Sequence, residues 1–141
     1  MSAPGTRSVV SASIYGALLA AAANTIVYLI CYVTGIIPWN MLSPGRGVSI
    51  TPRIVILVSL TGALAGALIY AVIRKIAPNP VRAFRLVATA VLLTSFLAPF
   101  AIPTFTTSLM VALDVMHVVV YVATVWALTI WRNPWRSTAS A

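Results

Sequence analysis

The feature that most constrains this chain is the run of residues 13–37, about 25 in succession without a charged side chain. Crossing the hydrocarbon core of a bilayer takes about 20 predominantly apolar residues in a helix. Inside lipid every backbone N–H and C=O must be satisfied within the protein, so a single span of this kind is a helix. Three further stretches read the same way, at about 54–73, 84–102 and 108–131, with Lys and Arg only at their edges. The expected architecture is therefore all-α, an antiparallel bundle of four transmembrane helices forming one domain over residues 1–141.

Composition says what such a chain is not. Hydrophobic residues make up 61% and charged residues 7% of its length, against about 25% charged in an ordinary soluble domain. A surface cannot be made polar from that inventory, which excludes a soluble enzyme. Cys31 is the single cysteine and rules out an internal disulfide. Ile30 stands before it where a lipoprotein signal needs a small residue. With one His, one Cys and one acid, the four ligands of a closed metal site are missing, and no cofactor is expected. A net charge of +8 raises nucleic acid as a partner, but the cations fall in short groups between apolar runs, without interleaved aromatics. They belong with a membrane.

Their distribution also sets an expected orientation, because cytoplasmic loops carry the excess of Lys and Arg. Arg7, Arg74, Lys75, Arg82, Arg85, Arg132 and Arg136 would lie on one side, and Arg46 and Arg53 on the other. Both termini and the middle loop are thus expected in the cytoplasm of a bacterial cell membrane. Trp39 near the outer boundary, and Tyr15, Tyr70, Trp131 and Trp135 near the inner one, suit interfacial aromatic belts. Arg74, Lys75, Arg82 and Arg85 would each attract anionic headgroups by about 1 kcal/mol. The competing reading is a signal peptide cleaved near Ala20-Ala21-Ala22-Ala23. It would leave a short apolar stub after cleavage, and a retained span accounts better for the whole run.

Local punctuation agrees with helices. Thr51-Pro52 and Asn79-Pro80 each offer an N-cap followed by a proline at the first helical position. Pro99, inside the third stretch, should kink it, and Pro103 should close it. Ser43-Pro44-Gly45-Arg46-Gly47 reads as a turn-rich loop. Gly62 and Gly66 in the second span form a small-xxx-small pair. Gly16, Ala20 and Asn24 form a similar stripe in the first. Such stripes let helix backbones approach, within the chain or between copies.

The chemistry concentrates on the fourth span. Asp114, His117 and Tyr121 recur at i, i+3 and i+7, so they share one face. An ionised Asp near mid-bilayer costs roughly 2.5–3.5 kcal/mol and calls for an interior partner. Asn24, Tyr28, Thr61 and Thr94 fall at similar depth on the other spans. Together these seven residues form the candidate intramembrane pocket. Asp114 and His117 are expected to pair with each other, with Asn24 and Tyr28, or, for Asp114, with Arg53. Such pairing would make the cluster structural. The functional alternatives are a pocket for a small ligand or protons, and ligation of a haem or chlorophyll-type macrocycle by His117.

From the first span through Asp114-Val115-Met116-His117 in the last, the chain resembles small uncharacterised bacterial membrane proteins with four spans, grouped as domains of unknown function. The resemblance implies a fold and no activity. The leading functional expectation is a non-enzymatic accessory or scaffold subunit that packs in the bilayer with itself or with a larger complex. The alternative is a small-solute or proton-coupled transporter, or a membrane ligand-binding protein, built around Asp114 and His117. An enzyme using that pair for acid–base chemistry lacks any accompanying nucleophile or phosphate loop.

Overall fold

A computed structural model describes residues 6–37, 50–102 and 105–130. Expectations that rest on Trp39, Arg46, Pro103, Trp131, Arg132, Trp135 and Arg136, or on the side chain of Arg7, lie outside the described residues. The chain forms α1 (Thr6–Val33), α2 (Pro52–Ile76), α3 (Pro80–Ser95) and α4 (Thr107–Thr129), with a 3₁₀ turn at Pro99–Ala101 between α3 and α4. No strand occurs among the described residues. Four segments are long and apolar enough to cross a membrane, α3 together with its continuation to Ala101 counting as one. The end of the bundle that carries residues 77–79 is called the lower end below, and the end that carries residues 34–37 and 96–106 the upper end.

Side chains at the helix boundaries explain where each element starts and stops. Thr51 Oγ1 accepts the Ile54 N–H at 3.4 Å ahead of Pro52, and Thr106 Oγ1 accepts the Leu109 N–H at 3.3 Å at the start of α4. Both satisfy a backbone donor that the first turn leaves orphaned. Asn79 corrects the expectation of a side-chain cap, for its side chain makes no capping bond. Only its carbonyl takes part, accepting the Ala83 N–H at 3.0 Å. Beyond α1, Gly35 adopts a left-handed φ of 74°, which costs glycine nothing. This reversal folds Ile37 back so that its N–H reaches the Cys31 carbonyl at 3.0 Å, and Ile37 is buried.

Pro99 does more than bend the third span. Proline has no N–H, and its ring collides with the carbonyl four residues back, which here is that of Ser95. The α-helix ends at Ser95. The chain then tightens into three-residue bonding, with Leu97 N–H on Thr94 O and Ala98 N–H on Ser95 O, each at 3.1 Å.

Packing divides the molecule unevenly. α1 lies against both α2 and α4, whereas the α3 backbone comes close to α2 and α4 and not to α1. The α1–α4 seam uses small residues: a Cβ placed at Gly16 would stand 2.9 Å from Ala127 Cβ, and Ala20 is fully buried. On α2, Gly62 faces Val120 and Gly66 faces Thr124. Both small-residue stripes therefore serve helix approach within one chain. At the lower end Val9, Ala12, Ala67, Tyr70, Ile73, Phe84 and Leu128 form one apolar core, and at the upper end Tyr28, Cys31, Ile37, Val55, Leu109, Ala112 and Met116 form another. Phe84 is the one fully buried anchor of α3. It lies against Tyr70 with ring centroids 4.9 Å apart and planes tilted by 57°, a favourable aromatic geometry. Above it, no residue of α3 is buried.

Candidate intramembrane site

Between the two apolar cores lies a layer of polar side chains, built around Asn24. The Asn24 amide donates to Ser59 Oγ at 2.9 Å and to the Met116 carbonyl at 3.1 Å, so one side chain ties α1 to both α2 and α4. Asn24 is 2% exposed, and its remaining polar atom, Oδ1, is buried without a hydrogen-bond partner. One residue beyond Met116, His117 Nδ1 lies 2.8 Å from the Leu113 carbonyl. A carbonyl only accepts, so Nδ1 carries the proton, and in the neutral ring Nε2 is an acceptor.

His117 lines two cavities. One, of about 180 Å³, lies between α1, α2 and α4, with Asn24, Ser59 and Met116 on its wall and Phe105 and Ile50 toward the upper end. The other, of about 330 Å³, lies between α2, α3 and α4 and is lined by Gly62, Gly66, Tyr121 and Thr124 along with apolar side chains. It exists because α3 is held close only along its lower half, at Phe84, Arg85 and Thr89. Val58 and Val120 line both spaces with His117. Thr124 Oγ1 is likewise buried without a partner. This sets it apart from Thr25, Thr61, Thr94 and Thr129, whose hydroxyls each bond the carbonyl one turn back.

The seven expected site residues separate in this geometry. Asn24 and His117 border one cavity, and His117 and Tyr121 border the other. Tyr121 is held by Thr89, hydroxyl to hydroxyl at 2.9 Å across α3 and α4. Tyr28 is buried but turned toward the upper end, donating to the Ile50 carbonyl at 3.3 Å. Thr61 and Thr94 correct the expectation of a shared layer: both are exposed on the bundle's outside and bonded to their own helices. Helix rotation turns both away from the bundle interior.

Asp114 also departs from expectation. It does not hydrogen-bond His117, Asn24, Tyr28 or Arg53, and its Oδ1 is buried with no partner. Seven residues before Tyr121, it shares the face of α4 that looks toward α3. Arg53 is exposed at the upper end. Two residues missed in the sequence belong to the site. Ser59 holds Asn24, and Thr89 holds Tyr121. The first has a signal, since Val55, Ser59, Ala63 and Ala67 recur every four residues and all are buried. Among the described residues no three His, Cys, Asp or Glu side chains gather around a point.

The cation group lies at the lower end. Arg74 and Lys75 close α2, where cations complement the helix dipole. Arg82 and Arg85 open α3 and are exposed. Arg85 also donates to Thr129 Oγ1 at 3.2 Å, which ties the start of α3 to the end of α4 beside Phe84.

Four apolar helices, packed through small-residue seams around a polar layer, define a multi-pass membrane protein with four spans. Within that class the chain belongs to the Family of unknown function (DUF6069), whose model matches residues 4–134. Neither the curated proteins nor the solved structures yield a match to it.

Proposed function

We propose that this is a non-enzymatic accessory subunit of the bacterial cytoplasmic membrane, with both termini in the cytoplasm, packing through α3 against a second copy or a larger membrane complex. The observation that supports it is the division of the fold. α1, α2 and α4 form a closed unit with a polar lock, while α3 is fastened at one end and, with its continuation to Ala101, presents Leu86, Val91, Leu93, Leu97 and Phe100 outward. A helix that contributes so little to its own bundle is free to contribute to another. The cation excess near residues 74–85 supports the orientation and a preference for anionic headgroups. Purification in a mild detergent tests the role. The expected result is a dimer or a co-purifying membrane partner that is lost when Leu93 and Leu97 are replaced by Ala. A monomer with no partner, from both detergent and native membrane discs, overturns it.

A second reading has its own support: Asn24 Oδ1, Asp114 Oδ1 and Thr124 Oγ1 are all buried without partners. Buried polar atoms without partners cost free energy, and these three are spread along the bundle, with Asn24 and Thr124 beside the spaces that His117 lines. They fit a membrane protein that binds a small molecule beside His117.

A further inference from the structure

We infer that Asp114 is the docking point for a different protein chain, a transmembrane helix that carries a Lys or Arg at the level of Asp114 and lies over the seam between α3 and α4. The inference deepens the accessory role and rests on it, and it makes no use of the small-molecule reading.

Asp114 is the single acid of the sequence. It stands seven residues into α4 from Thr107, about 10 Å from the upper end at 1.5 Å per residue. A carboxyl group on one methylene is too short to reach the membrane surface from there, as the long stems of Lys and Arg can. Ionisable groups at such depth pair with one another or face a bundle interior. Asp114 does neither fully. It is half-buried, and among the described residues no hydrogen bond or ion pair reaches its carboxyl group. Oδ1 is enclosed, but Oδ2 is not. The side chain lines neither of the cavities beside His117. Its neighbours at i−3, i+1 and i+4, which are Val111, Val115 and Val118, are all exposed. The open oxygen therefore lies at the margin of the outer face of α4.

That margin continues the α3 surface on which the accessory role rests. The Thr89–Tyr121 bond fixes those two residues at one level. Seven residues farther up each of the two antiparallel helices, Phe96 and Asp114 come to about one level. On α3 and its continuation this level falls between Leu93 and Leu97, which are 60% and 68% exposed. A span laid on those leucines meets Asp114 at its edge.

Charge decides what kind of span it is. A second copy inserted the same way has no cation to offer, because Lys and Arg occur only at positions 7, 46, 53, 74, 75, 82, 85, 132 and 136, near or beyond the ends of the four spans. A soluble cation would be stripped of its water on the way through the hydrocarbon. A Lys or Arg carried on a helix arrives with its backbone hydrogen bonds already made. Its apolar stem also suits the valine and leucine surface around Asp114. The occupant is thus a heterologous helix with one cation about 10 Å below its upper end.

The test uses the full chain in phosphatidylcholine vesicles with synthetic single-span peptides of Leu and Ala. The peptides differ at one position, about 10 Å from one end, which holds Lys, Gln or Leu. Energy transfer from the four tryptophans of the chain to a dansyl group on the peptide reports association. The expected result is saturable binding of the Lys peptide, about tenfold or more tighter than that of the Gln and Leu peptides. That advantage should vanish in Asp114→Asn and persist in Asp114→Glu. Thermal unfolding confirms that the variants are folded, and the three peptides on the parent chain keep the test decisive if one is not. Equal binding of the Lys and Gln peptides overturns the cationic partner. Equal binding of all three, or a Lys advantage unchanged in a folded Asp114→Asn protein, overturns the docking point itself. Because the peptide is supplied, these failures are separable from that of the accessory role: with a partner still recovered in the purification above, they remove the charge pairing and leave that role standing.

Discussion

Gly16 and Gly62 look alike in the sequence, each a glycine in a small-residue stripe, yet replacing them with alanine should have opposite consequences. A Cβ at Gly16 would stand 2.9 Å from Ala127 Cβ, with the Ala123 carbonyl oxygen at 3.5 Å and Thr124 Cα at 3.8 Å. Carbon atoms are at their optimum about 3.5–4.0 Å apart, so the new methyl overlaps by at least half an ångström or so. Ala127 Cβ is bound directly to the backbone and cannot rotate aside, so α1 and α4 must separate. Overpacking of this sort costs about 1–3 kcal/mol, and the better helix propensity of alanine returns about 1 kcal/mol at most. At Gly62 the nearest atom to a new Cβ is Val120 Cγ1 at 3.5 Å, an ordinary contact. There the propensity gain should survive, making the variant neutral or more stable by up to about 1 kcal/mol.

The two variants should therefore differ by about 1–3 kcal/mol, which at 1.4 kcal/mol per decade is a factor of about 5 to 150 in the unfolding equilibrium. Gly66→Ala should fall between them, because its 2.9 Å contact is with Thr124 Cγ2, a side-chain methyl, though one on a stiff β-branched residue. Reversible unfolding in mixed micelles, titrated with a denaturing detergent, measures all three. Equal stability for Gly16→Ala and Gly62→Ala would refute the close approach of α1 to α4. Loss of a dimer in Gly62→Ala alone would place that stripe between copies and not within one chain.

Other consequences follow from the polar layer and from α3. Asn24→Leu removes two interhelical hydrogen bonds, each worth on average about 0.6 and at most about 1.7 kcal/mol in a membrane. It should destabilise the bundle by about 1–3 kcal/mol in the same unfolding assay, with full stability in the variant counting against the α1–α2–α4 lock. Phe84→Ala should release α3 while the other three helices hold, seen as faster amide exchange over residues 80–95 and little change over residues 9–33. Thr61→Val and Thr94→Val should each lie within about 0.5 kcal/mol of the parent, since both hydroxyls bond only their own helices. Single cysteines in a Cys31→Ala background should be labelled from outside the cell at position 46 and shielded at positions 7 and 79. The reverse pattern would invert the proposed topology.

Span number, helix type and approximate boundaries were legible because they depend on local quantities, namely apolar run length and the Thr51-Pro52 and Asn79-Pro80 starts. Rotation about each helix axis was less so. Thr61 and Ser59 are two residues apart and equally deep, but on a helix that separation is about 200°, and only Ser59 faces Asn24. The hydropathy of α2 cannot choose between them, because lipid and bundle interior are equally apolar. The choice comes from which stripe has the smaller residues. Val55, Ser59, Ala63 and Ala67 turn inward, while the more conspicuous glycine pair sits one residue earlier and meets α4. The extent of the break at Pro99 was also hidden. The proline itself was plain, but the helix ends four residues sooner, at Ser95, where its ring excludes the carbonyl.

The same physics explains why the molecule is closed on one side and open on the other. Without a hydrophobic force between helices in lipid, association must come from close backbone approach or polar contacts. α1 has both, through Gly16 and Asn24, and it binds two neighbours along its length. α3 has neither along its upper half: Val87, Val91, Leu92 and Leu93 are large, and Thr94 and Ser95 spend their hydroxyls on their own backbone. Its hold is confined to Phe84, the Arg85–Thr129 bond and the Thr89–Tyr121 bond, all in its first ten residues. Past Thr89 nothing draws α3 in, and the break before Pro99 removes the rigidity that would carry its upper end along with the lower. The cavity beside His117 is the consequence. Filling it with helix would require small residues at positions 91 and 92, and the sequence places Val and Leu there. That choice keeps open the space onto which His117, Tyr121 and Thr124 face.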